Sequence, residues 1–468
     1  MSATPLPPAP SRKGRGGQKP PPLAGGGWGR GQTAILPLAA FLLTWPAILN
    51  GYPLVFSDTG TYLSQALNRY LGWDRPPFYS LFMLPLHMGL TTWPVIAAQG
   101  LITAWVLHLT MRALVPACSP WPLVPLAAVL AMASPLPWFA AQLMPDLFTG
   151  LLVLALALLV FAPERLRRAD ATGLAMLAAF AMCAHLSNLP LALGLLALLL
   201  PLRRLLGARA ALGRAALARV AGAPIAAVLA LIAVNLAGHG AASIAPYGNV
   251  FLLARVIEDG PGRDALTRAC PDAGWRLCAV RDQLPARADD ILWRPESPLN
   301  AAGGPKRVSA EADAIVAAAI RAEPGRELAA MFRNAGYQIL RFGTGDGLQP
   351  WPDTVTPWID RDFPRFEQAA YAASRQATGQ RLLPNWMSGL HQGVAMGGIA
   401  VLLALLPRWL RQRDIMAGLT VAILAALLGN AAITGALSGP HDRYQSRIMW
   451  LPSFALLLGA ARRGPWAA

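Results

Sequence analysis

A carboxylate and two arginines stand where apolar stretches of this chain give way to polar ones. Asp58 comes soon after the first apolar run, and Arg443 and Arg447 lie in the polar turn 439–447 near the C-terminus. A carboxylate can take a proton from a hydroxyl group, and arginine can bind phosphate through paired hydrogen bonds. These residue types would suit the transfer of a group from a phosphate to a hydroxyl.

Each of the three also has a simpler interpretation. Asp58 lies in a Ser-Asp-Thr triplet that suits the N-cap of a helix, and one carboxylate can serve both purposes. Arg443 and Arg447 flank Tyr444, and basic residues beside an aromatic ring often anchor a chain at the membrane interface. The sequence leaves these alternatives open.

Further polar side chains are predicted to bind the phosphate or the accepting molecule on the same face: Tyr62, Arg75, Asp146, His185, Asn188, His441 and Tyr444. Arg75 could instead extend to the interface, and Asp146 could cap a helix or orient a divalent cation. His185 and Asn188 could simply pack at the tip of a helix pair. No metal site is predicted, because one His without clustered acids is weak support, and the sequence requires no cofactor.

The composition predicts the setting for this chemistry. The chain has 468 residues, of which 55% are hydrophobic and 14% charged, and its mean hydropathy is +0.42. Soluble domains do not have so apolar a composition. We therefore expect an all-α polytopic membrane protein with about ten transmembrane helices and an external, mainly helical segment. The chain contains no phosphate-binding loop, serine-hydrolase, zinc-protease or dinucleotide-binding motif.

The net charge of +16 is distributed unevenly along the chain. In our assignment the surplus lies in the N-terminal tail and in the turns near Arg112, Arg165, 203–219, Arg408 and Arg462, and the remaining segments are close to neutral. Cytoplasmic loops of membrane proteins carry such an excess of Lys and Arg. We therefore predict that both termini are cytoplasmic, and the charge requires no nucleic-acid partner.

The chain divides by composition into four parts. Residues 1–32, rich in Pro, Gly and basic residues, are predicted to be a disordered cytoplasmic tail. Residues 33–238 are predicted to form a transmembrane bundle with a first external loop at 51–77. An external periplasmic segment at 239–388 and C-terminal transmembrane helices at 389–468 complete the chain.

Local patterns predict individual elements. Apolar residues at helical spacing after Asp58 predict a surface helix that lies on the membrane face. The run 172–202 crosses the membrane as two short helices or as one long helix, and its basic flanks favour the pair. Ser309 is expected to cap a helix of the external segment, and Pro324 to begin another that has one apolar face.

The cysteines form two groups. Cys118 and Cys183 lie in or beside apolar runs and are expected to be packing residues. Cys270 and Cys278 lie in the external segment, where an oxidising compartment permits a disulfide between them. A two-cysteine metal site is the weaker alternative there, because no second pair or nearby His completes it.

The first external loop resembles that of a known enzyme family. Asp58 follows the first apolar run, Tyr62 comes four positions later, and Arg75-Pro76-Pro77 precede the next. This order is similar to that of the GT-C glycosyltransferases, integral-membrane enzymes that take sugars from polyprenyl-phosphate carriers, the aminoarabinose and mannosyl transferases among them. The chain departs from the pattern where many members have paired acids or a Lys before the prolines.

The resemblance implies an inverting glycosyltransferase of a bacterial inner membrane, with a polyprenyl-phosphate sugar and membrane lipids as its partners. Asp58 would be the catalytic base, and arginines would hold the leaving phosphate. Two other classes remain open: a polytopic transporter or lipid flippase, and a non-catalytic envelope assembly protein. Transporters usually place charges near the membrane midplane and show repeated halves, neither of which is evident in this sequence.

Overall fold

The computed structural model describes residues 34–115, 119–206 and 212–462. Within these ranges the chain is helical and contains no β-strand, apart from an isolated bridge between Leu54 and Gln142. The tail predicted for 1–32 and the packing role predicted for Cys118 lie outside the described residues. Helices suit so apolar a chain because they satisfy their backbone hydrogen bonds internally.

The helices up to residue 239 are α1 (Ile35–Leu43), α2 (Trp45–Asn50), α3 (Thr59–Leu67), α4 (Phe78–His87), α5 (Trp93–Leu114), α6 (Leu123–Ala133), α7 (Leu136–Ala140), α8 (Leu147–Phe161), α9 (Arg168–Ala184), α10 (Asn188–Leu205) and α11 (Arg214–His239). Those of the predicted external segment are α12 (Gly248–Glu258), α13 (Pro261–Ala269), α14 (Ala288–Trp293), α15 (Pro298–Ala301), α16 (Pro305–Ala322), α17 (Pro324–Leu340), α18 (Thr356–Asp362) and α19 (Arg365–Ala372). The chain ends with α20 (Asn385–Arg411), α21 (Ile415–Leu437), α22 (Asp442–Ser446) and α23 (Leu451–Ala461), and 3₁₀ turns occur at Pro163–Arg165 and Arg276–Gln283.

Among the described residues, five helices are long and apolar enough to cross a membrane: α5, α10, α11, α20 and α21. The apolar helices α6 and α8 are shorter. Side chains are buried along nearly the whole of α8, which carries no charged residue. A helix that is apolar on every side has no face to turn to water, so α8 lies at the centre of the bundle.

The helices α9 and α10 run in opposite directions along α8. The residue after α9, His185, contacts Arg447 beside Asp146, where α8 begins. Near the end of α10, Arg203 donates to the carbonyl of Val160, where α8 ends, at 2.7 Å. The run 172–202 is therefore two helices and not one. We call the end of the bundle at Asp146 the site end and the opposite end the basic end.

Other apolar helices also run between these two ends. Near the start of α5, Gln99 donates to two carbonyls of the segment that precedes Asp146, and near its finish a carbonyl accepts from Arg165. α21 begins after Asp414, within electrostatic reach of Arg165, and brings Asn430 to the site end. The helices thus carry residues that are far apart in sequence to one end of the bundle.

The structure corrects the prediction for α3, which is not a surface helix on the membrane. Tyr62 and Leu63 are buried, and Gly60 lies directly beneath the α18 region. A Cβ added at Gly60 would lie 2.0 Å from the carbonyl oxygen of Thr354. The apolar spacing predicted the helix but could not show that protein, arriving almost 300 residues later in the sequence, covers it.

The first apolar run also differs in detail, because it is divided at Thr44 into α1 and α2. The hydroxyl of Thr44 donates to the carbonyl of Ala40 at 2.9 Å, and Pro46 occupies the next turn. Both features bend a helix. By contrast, α4 continues through Pro85 and ends at His87.

The segment predicted to be external has two parts with separate cores. The helices α12–α16 enclose their own apolar core, which includes Val256 and Ile315. By contrast, Ile359 of α18 and Tyr371 of α19 belong to the core of the bundle. The first part is therefore a small module, and the second part is a cover built onto the site end.

Two details of the module concern sequence predictions. The structure joins Cys270 and Cys278 by a disulfide. Ser309 does not cap a helix, because α16 begins earlier, at Pro305, and the Ser309 hydroxyl donates to Asn249 Oδ1 at 2.9 Å. Proline at the first helical position explains the earlier start.

A buried network ties the cover to the first external loop. Glu367 Oε1 accepts from Tyr52 Oη and from both the amide and the hydroxyl of Thr92, each at 2.8 Å. Gln376 Nε2 donates to the carbonyl of Val55 at 2.8 Å, and its Oε1 accepts from the Val55 amide at 3.0 Å. The conformation of the loop therefore depends on residues 367–376.

Candidate functional site

Asp58 and Arg75 form an ion pair at the site end. Arg75 Nε and Nη2 donate to the same oxygen, Asp58 Oδ2, at 3.1 and 2.8 Å. Asp58 Oδ1 has no hydrogen-bond partner among the described residues, so one carboxylate oxygen remains available. Although Asp58 occupies the N-cap position of α3, its side chain caps no backbone amide. The geometry therefore does not support the simpler N-cap interpretation.

The local sequence fixes Arg75 in this position. Its Nη1 donates to the carbonyl of Asp74 at 3.1 Å, and its guanidinium lies over the ring of Trp293, 5.4 Å from the centroid. Burial alone would lower the pKa of Arg75, but Asp58 and Asp74 raise it above its ordinary value. Arg75 therefore remains a permanent cation beside the Asp58 carboxylate.

A second and more deeply buried cluster lies around Asp146. Arg447 Nη1 donates to Asp146 Oδ1 at 3.1 Å, and Arg443 Nε lies 3.9 Å from the same oxygen. The exposed fractions of the Asp146 and Arg447 side chains are 1% and 0%. Asp146 stands at the N-cap position of α8, yet its side chain caps no amide, so the N-cap interpretation is not supported here either.

The two arginines keep Asp146 ionised. Burial alone would raise the pKa of Asp146, but Arg443 and Arg447 outweigh it and hold the pKa below its ordinary value. A carboxylate so paired is a poor proton acceptor. Asp146 is therefore better suited to positioning the arginines than to acid–base chemistry.

The terminal nitrogens of Arg447 donate hydrogen bonds to several protein groups. Its Nη1 also donates to His185 Nε2 at 2.9 Å, and its Nη2 donates to Ser187 Oγ at 3.1 Å and to Asn430 Oδ1 at 2.8 Å. Because arginine only donates, His185 Nε2 must accept and the ring must carry its proton on Nδ1, which then donates to Ser187 Oγ at 2.9 Å. Burial and Arg447 lower the pKa of His185 well below its ordinary value, so the ring is neutral.

Arg443 differs from Arg447 because its guanidinium makes no hydrogen bond among the described residues, whereas Arg447 leaves only Nε without a partner. Arg443 Nη1 and Asp146 Oδ2 are buried and lack a hydrogen-bond partner among the described residues. The guanidinium carbon lies 3.7 Å from the centroid of the Phe56 ring, and the Arg443 amide donates to Asp346 Oδ2 at 3.0 Å. A buried cationic group without a partner is costly unless a ligand completes it. Arg443 is therefore the better candidate for binding an anion.

The two clusters act on each other electrostatically. Burial alone would lower the pKa of Arg443, whereas Asp146, then Tyr444 and Asp58, raise it above its ordinary value. Tyr62 likewise lies within electrostatic reach of Arg75, Asp58 and Asp146, and burial raises its pKa, so it remains a neutral phenol. The predicted base and the predicted phosphate-binding arginine thus share one region.

Three of the predicted residues have mainly structural surroundings. Asn188 is buried and donates to the carbonyl of Ala181, which closes the turn between α9 and α10. His441 lies 3.5 Å from Asp289 of the α12–α16 module and is outside the two clusters. The Tyr444 ring lies 5.4 Å from the Arg443 guanidinium, so it flanks the site.

Sequence reasoning missed Phe56, Ser187, Asp346 and Asn430. Asn430 could have been identified from the sequence, because it is a polar amide in the middle of the apolar α21. The others gave none, since nothing in the sequence places 346 beside 443. A cavity of ≈ 380 Å³ lies behind the loop that carries Asp346, lined in part by Thr344, Leu348 and Arg381.

Neither a metal site nor a known relative identifies the function of this chain. Among the described residues, no group of three or more His, Cys, Asp or Glu side chains is arranged to hold a metal ion. No protein-family model matches the chain, and neither the curated proteins nor the solved structures contain a match.

Proposed function

We propose that this chain is a membrane glycosyltransferase of the GT-C type that moves a sugar from a polyprenyl-phosphate carrier to an acceptor hydroxyl on the periplasmic face. One observation carries the proposal. Asp58 Oδ1 and Arg443 Nη1, a basic oxygen and a cationic donor, both lack a hydrogen-bond partner among the described residues and lie within electrostatic reach of each other at one end of an apolar bundle.

The reaction follows from this arrangement. The acceptor hydroxyl oxygen attacks the anomeric carbon, and its proton passes to Asp58 Oδ1. The bond from the anomeric carbon to the phosphate oxygen breaks, and the phosphate leaves with the electron pair. Arg443 Nη1 binds the leaving phosphate, while Arg75 holds the other oxygen of Asp58 and thereby orients the base. Attack opposite the leaving group inverts the anomeric configuration.

Asp146, Arg447 and His185 act as positioning residues in this scheme. Asp146 is shared by both arginines, and both terminal nitrogens of Arg447 donate to protein acceptors. Their contacts hold the turn 439–447 so that Arg443 points to Phe56 and away from the basic end. The mechanism needs no metal.

We further propose ten crossings of a bacterial inner membrane, with both termini in the cytoplasm. The support is the alternation of helix directions between the site end and the basic end, together with the excess of Arg at the latter. The five longer helices would then cross the membrane together with five shorter segments: α1–α2, α6–α7, α8, α9 and α23. The site would face the periplasm.

The test compares Asp58→Asn with Asp74→Asn. Both remove one carboxylate near Arg75, but only the Asp58 carboxylate accepts hydrogen bonds from Arg75, and Asp74→Asn keeps the backbone carbonyl to which Arg75 donates. We expect Asp58→Asn to suppress sugar transfer from radiolabelled polyprenyl-phosphate sugars, by on the order of 10²-fold or more, and to retain binding of polyprenyl phosphate. Asp74→Asn should transfer sugar at close to the wild-type rate.

Full transfer by a folded Asp58→Asn variant would remove Asp58 from the mechanism. If the wild-type protein transfers no sugar from any carrier but moves polyprenyl phosphate across reconstituted vesicles, the flippase alternative takes its place.

A further inference from the structure

The helix α17 exposes an apolar stripe. Leu328, Phe332 and Ile339 are 54%, 75% and 42% exposed, and they fall within about 40° of one another around the helix axis. Leu340, at the end of the helix, is also 73% exposed, about 80–120° around the axis from the stripe. Single exposed apolar residues are ordinary, but a continuous line along one helix marks a contact surface.

The opposite side of α17 is fixed to the protein. Glu327, Ala330 and Gln338 are buried, and α17 packs along α21, one of the helices able to cross a membrane. The close approach depends on Gly435 of α21, where an added Cβ would lie 2.6 Å from the carbonyl oxygen of Asn334. The stripe therefore points outward from the side of the bundle.

The polar residues of α17 lie well away from the stripe. Arg326, Arg333 and Tyr337 are about 100–180° from it around the helix axis. The two arginine side chains are 59% and 51% exposed and pair with Asp264 and Asp259 of the α12–α16 module. A helix with an exposed apolar line on one side and arginine and tyrosine on the other is typical of the membrane–water interface. α17 also packs on α21, a helix long and apolar enough to cross a membrane, so the stripe lies on the flank that lipid would surround.

From these observations we infer that α17 lies in the site-end leaflet of the membrane, with Leu328, Phe332 and Ile339 among the acyl chains and the ion pairs of Arg326 and Arg333 with the module on the water side. The occupant of the stripe is thus the lipid bilayer itself. This inference does not rest on glycosyl transfer. It changes the view of the external segment, because α17 is then a membrane element between two water-facing parts.

The same helix holds the turn that carries Arg443. Gln338 Nε2 donates to the carbonyl of His441 at 2.8 Å, and the His441 amide donates back to Gln338 Oε1 at 2.9 Å. Arg341 Nη1 donates to the carbonyl of Pro440 at 3.0 Å. The depth of α17 in the leaflet would therefore set the height of Arg443 above the acyl chains.

The test uses spin labels on single cysteines in the full chain, with Cys118 and Cys183 replaced by Ala and the Cys270–Cys278 disulfide kept. Labels are placed by Phe332→Cys and Leu328→Cys, and the control by Ala314→Cys, an exposed position on α16 of the module. The protein is reconstituted in nanodiscs of phosphatidylethanolamine and phosphatidylglycerol. Collision with oxygen, which partitions into lipid, is compared with collision with a water-soluble nickel chelate.

We expect the labels at 328 and 332 to collide mainly with oxygen, at a depth of roughly 5–10 Å below the phosphates, and the label at 314 to collide mainly with the chelate. A chelate-accessible label at 332 would overturn the inference. Shielding of that label from both reagents would overturn it as well, and would point to a second copy of the chain on the stripe. Failure to enter nanodiscs at all would instead count against the membrane setting of the whole protein.

Discussion

At the scale of single residues, Arg443 and Arg447 show how one turn can separate two roles. They lie four positions apart and have the same chemistry, yet Arg447 donates to four protein acceptors and leaves only Nε without a partner, whereas the Arg443 guanidinium makes no hydrogen bond among the described residues. The sequence predicted both as phosphate ligands. Contacts from α9, α10 and α21 make the difference, and those contacts are not encoded near residue 447.

This difference predicts that alanine at the two positions has different effects, on stability at 447 and on phosphate binding at 443. Arg447→Ala leaves Asp146 buried without its closest partner and should destabilise the fold by roughly 3–5 kcal/mol. Arg443→Ala should keep most of the stability but weaken binding of polyprenyl phosphate by about 1.5–3 kcal/mol. Thermal unfolding in detergent and a lipid-binding assay separate the two outcomes.

Arg462→Ala is the matched control, since it removes a partly exposed pair with Asp414 and should change stability by less than about 1 kcal/mol. Equal loss of stability in all three variants would contradict the division of roles.

His185 predicts a dependence of stability on pH. The folded protein holds its pKa well below the ordinary value of 6.5, whereas the unfolded chain does not. Below about pH 6.5 the unfolded state therefore binds a proton that the folded state does not bind, and the free energy of unfolding falls as the pH decreases. The loss begins near pH 6.5 and continues towards the lower, folded pKa.

Replacement by glutamine removes the titrating group, so His185→Gln should lose less stability than wild type between pH 7 and pH 5 when unfolding is followed at each pH. Parallel curves for the two proteins would show that His185 does not titrate on unfolding.

At the scale of elements, the packing of α17 on α21 depends on one glycine. Gly435→Ala would place a methyl group against the α17 backbone, which cannot rotate away, so we expect a loss of roughly 1–3 kcal/mol and faster amide exchange in α17. Gly397→Ala, on α20, is the control because no atom lies within 4 Å of the added Cβ. It should be neutral or slightly stabilising, by roughly 0.5–1 kcal/mol.

The elements also show what a sequence can and cannot reveal. Basic flanks favoured two helices in 172–202, and Pro324 was placed correctly at the start of α17. The surface position expected for α3 was wrong, because helical spacing identifies an apolar face without showing what covers it. Ser309 was misplaced for a related reason: a good capping residue also fits inside a helix when a neighbouring segment accepts its hydroxyl hydrogen bond.

At the scale of the whole molecule, the proposed ten crossings place the module and the C-terminus on opposite sides of the membrane. A reporter fused at Gly303, in the α12–α16 module, should be active in the periplasm, and one fused after Ala468 in the cytoplasm. Reporters that are active in the same compartment would exclude the three crossings proposed between Gly303 and the C-terminus. The composition predicted the helical class well, but only the fold shows that Asp58 and Arg443 share one end.

The bonds of Glu367 and Gln376 have a consequence for biosynthesis. Val55 and its partner Gln376 are separated by 321 residues, so a ribosome that adds roughly 5–20 residues per second makes them roughly 15–65 seconds apart. During that interval Tyr52, Val55 and the buried face of α3 have been synthesised, but the cover that packs on them has not. Nascent chains must therefore pass through a stage in which this apolar loop is open to lipid or to chaperones, and a truncation before residue 376 would remain at that stage.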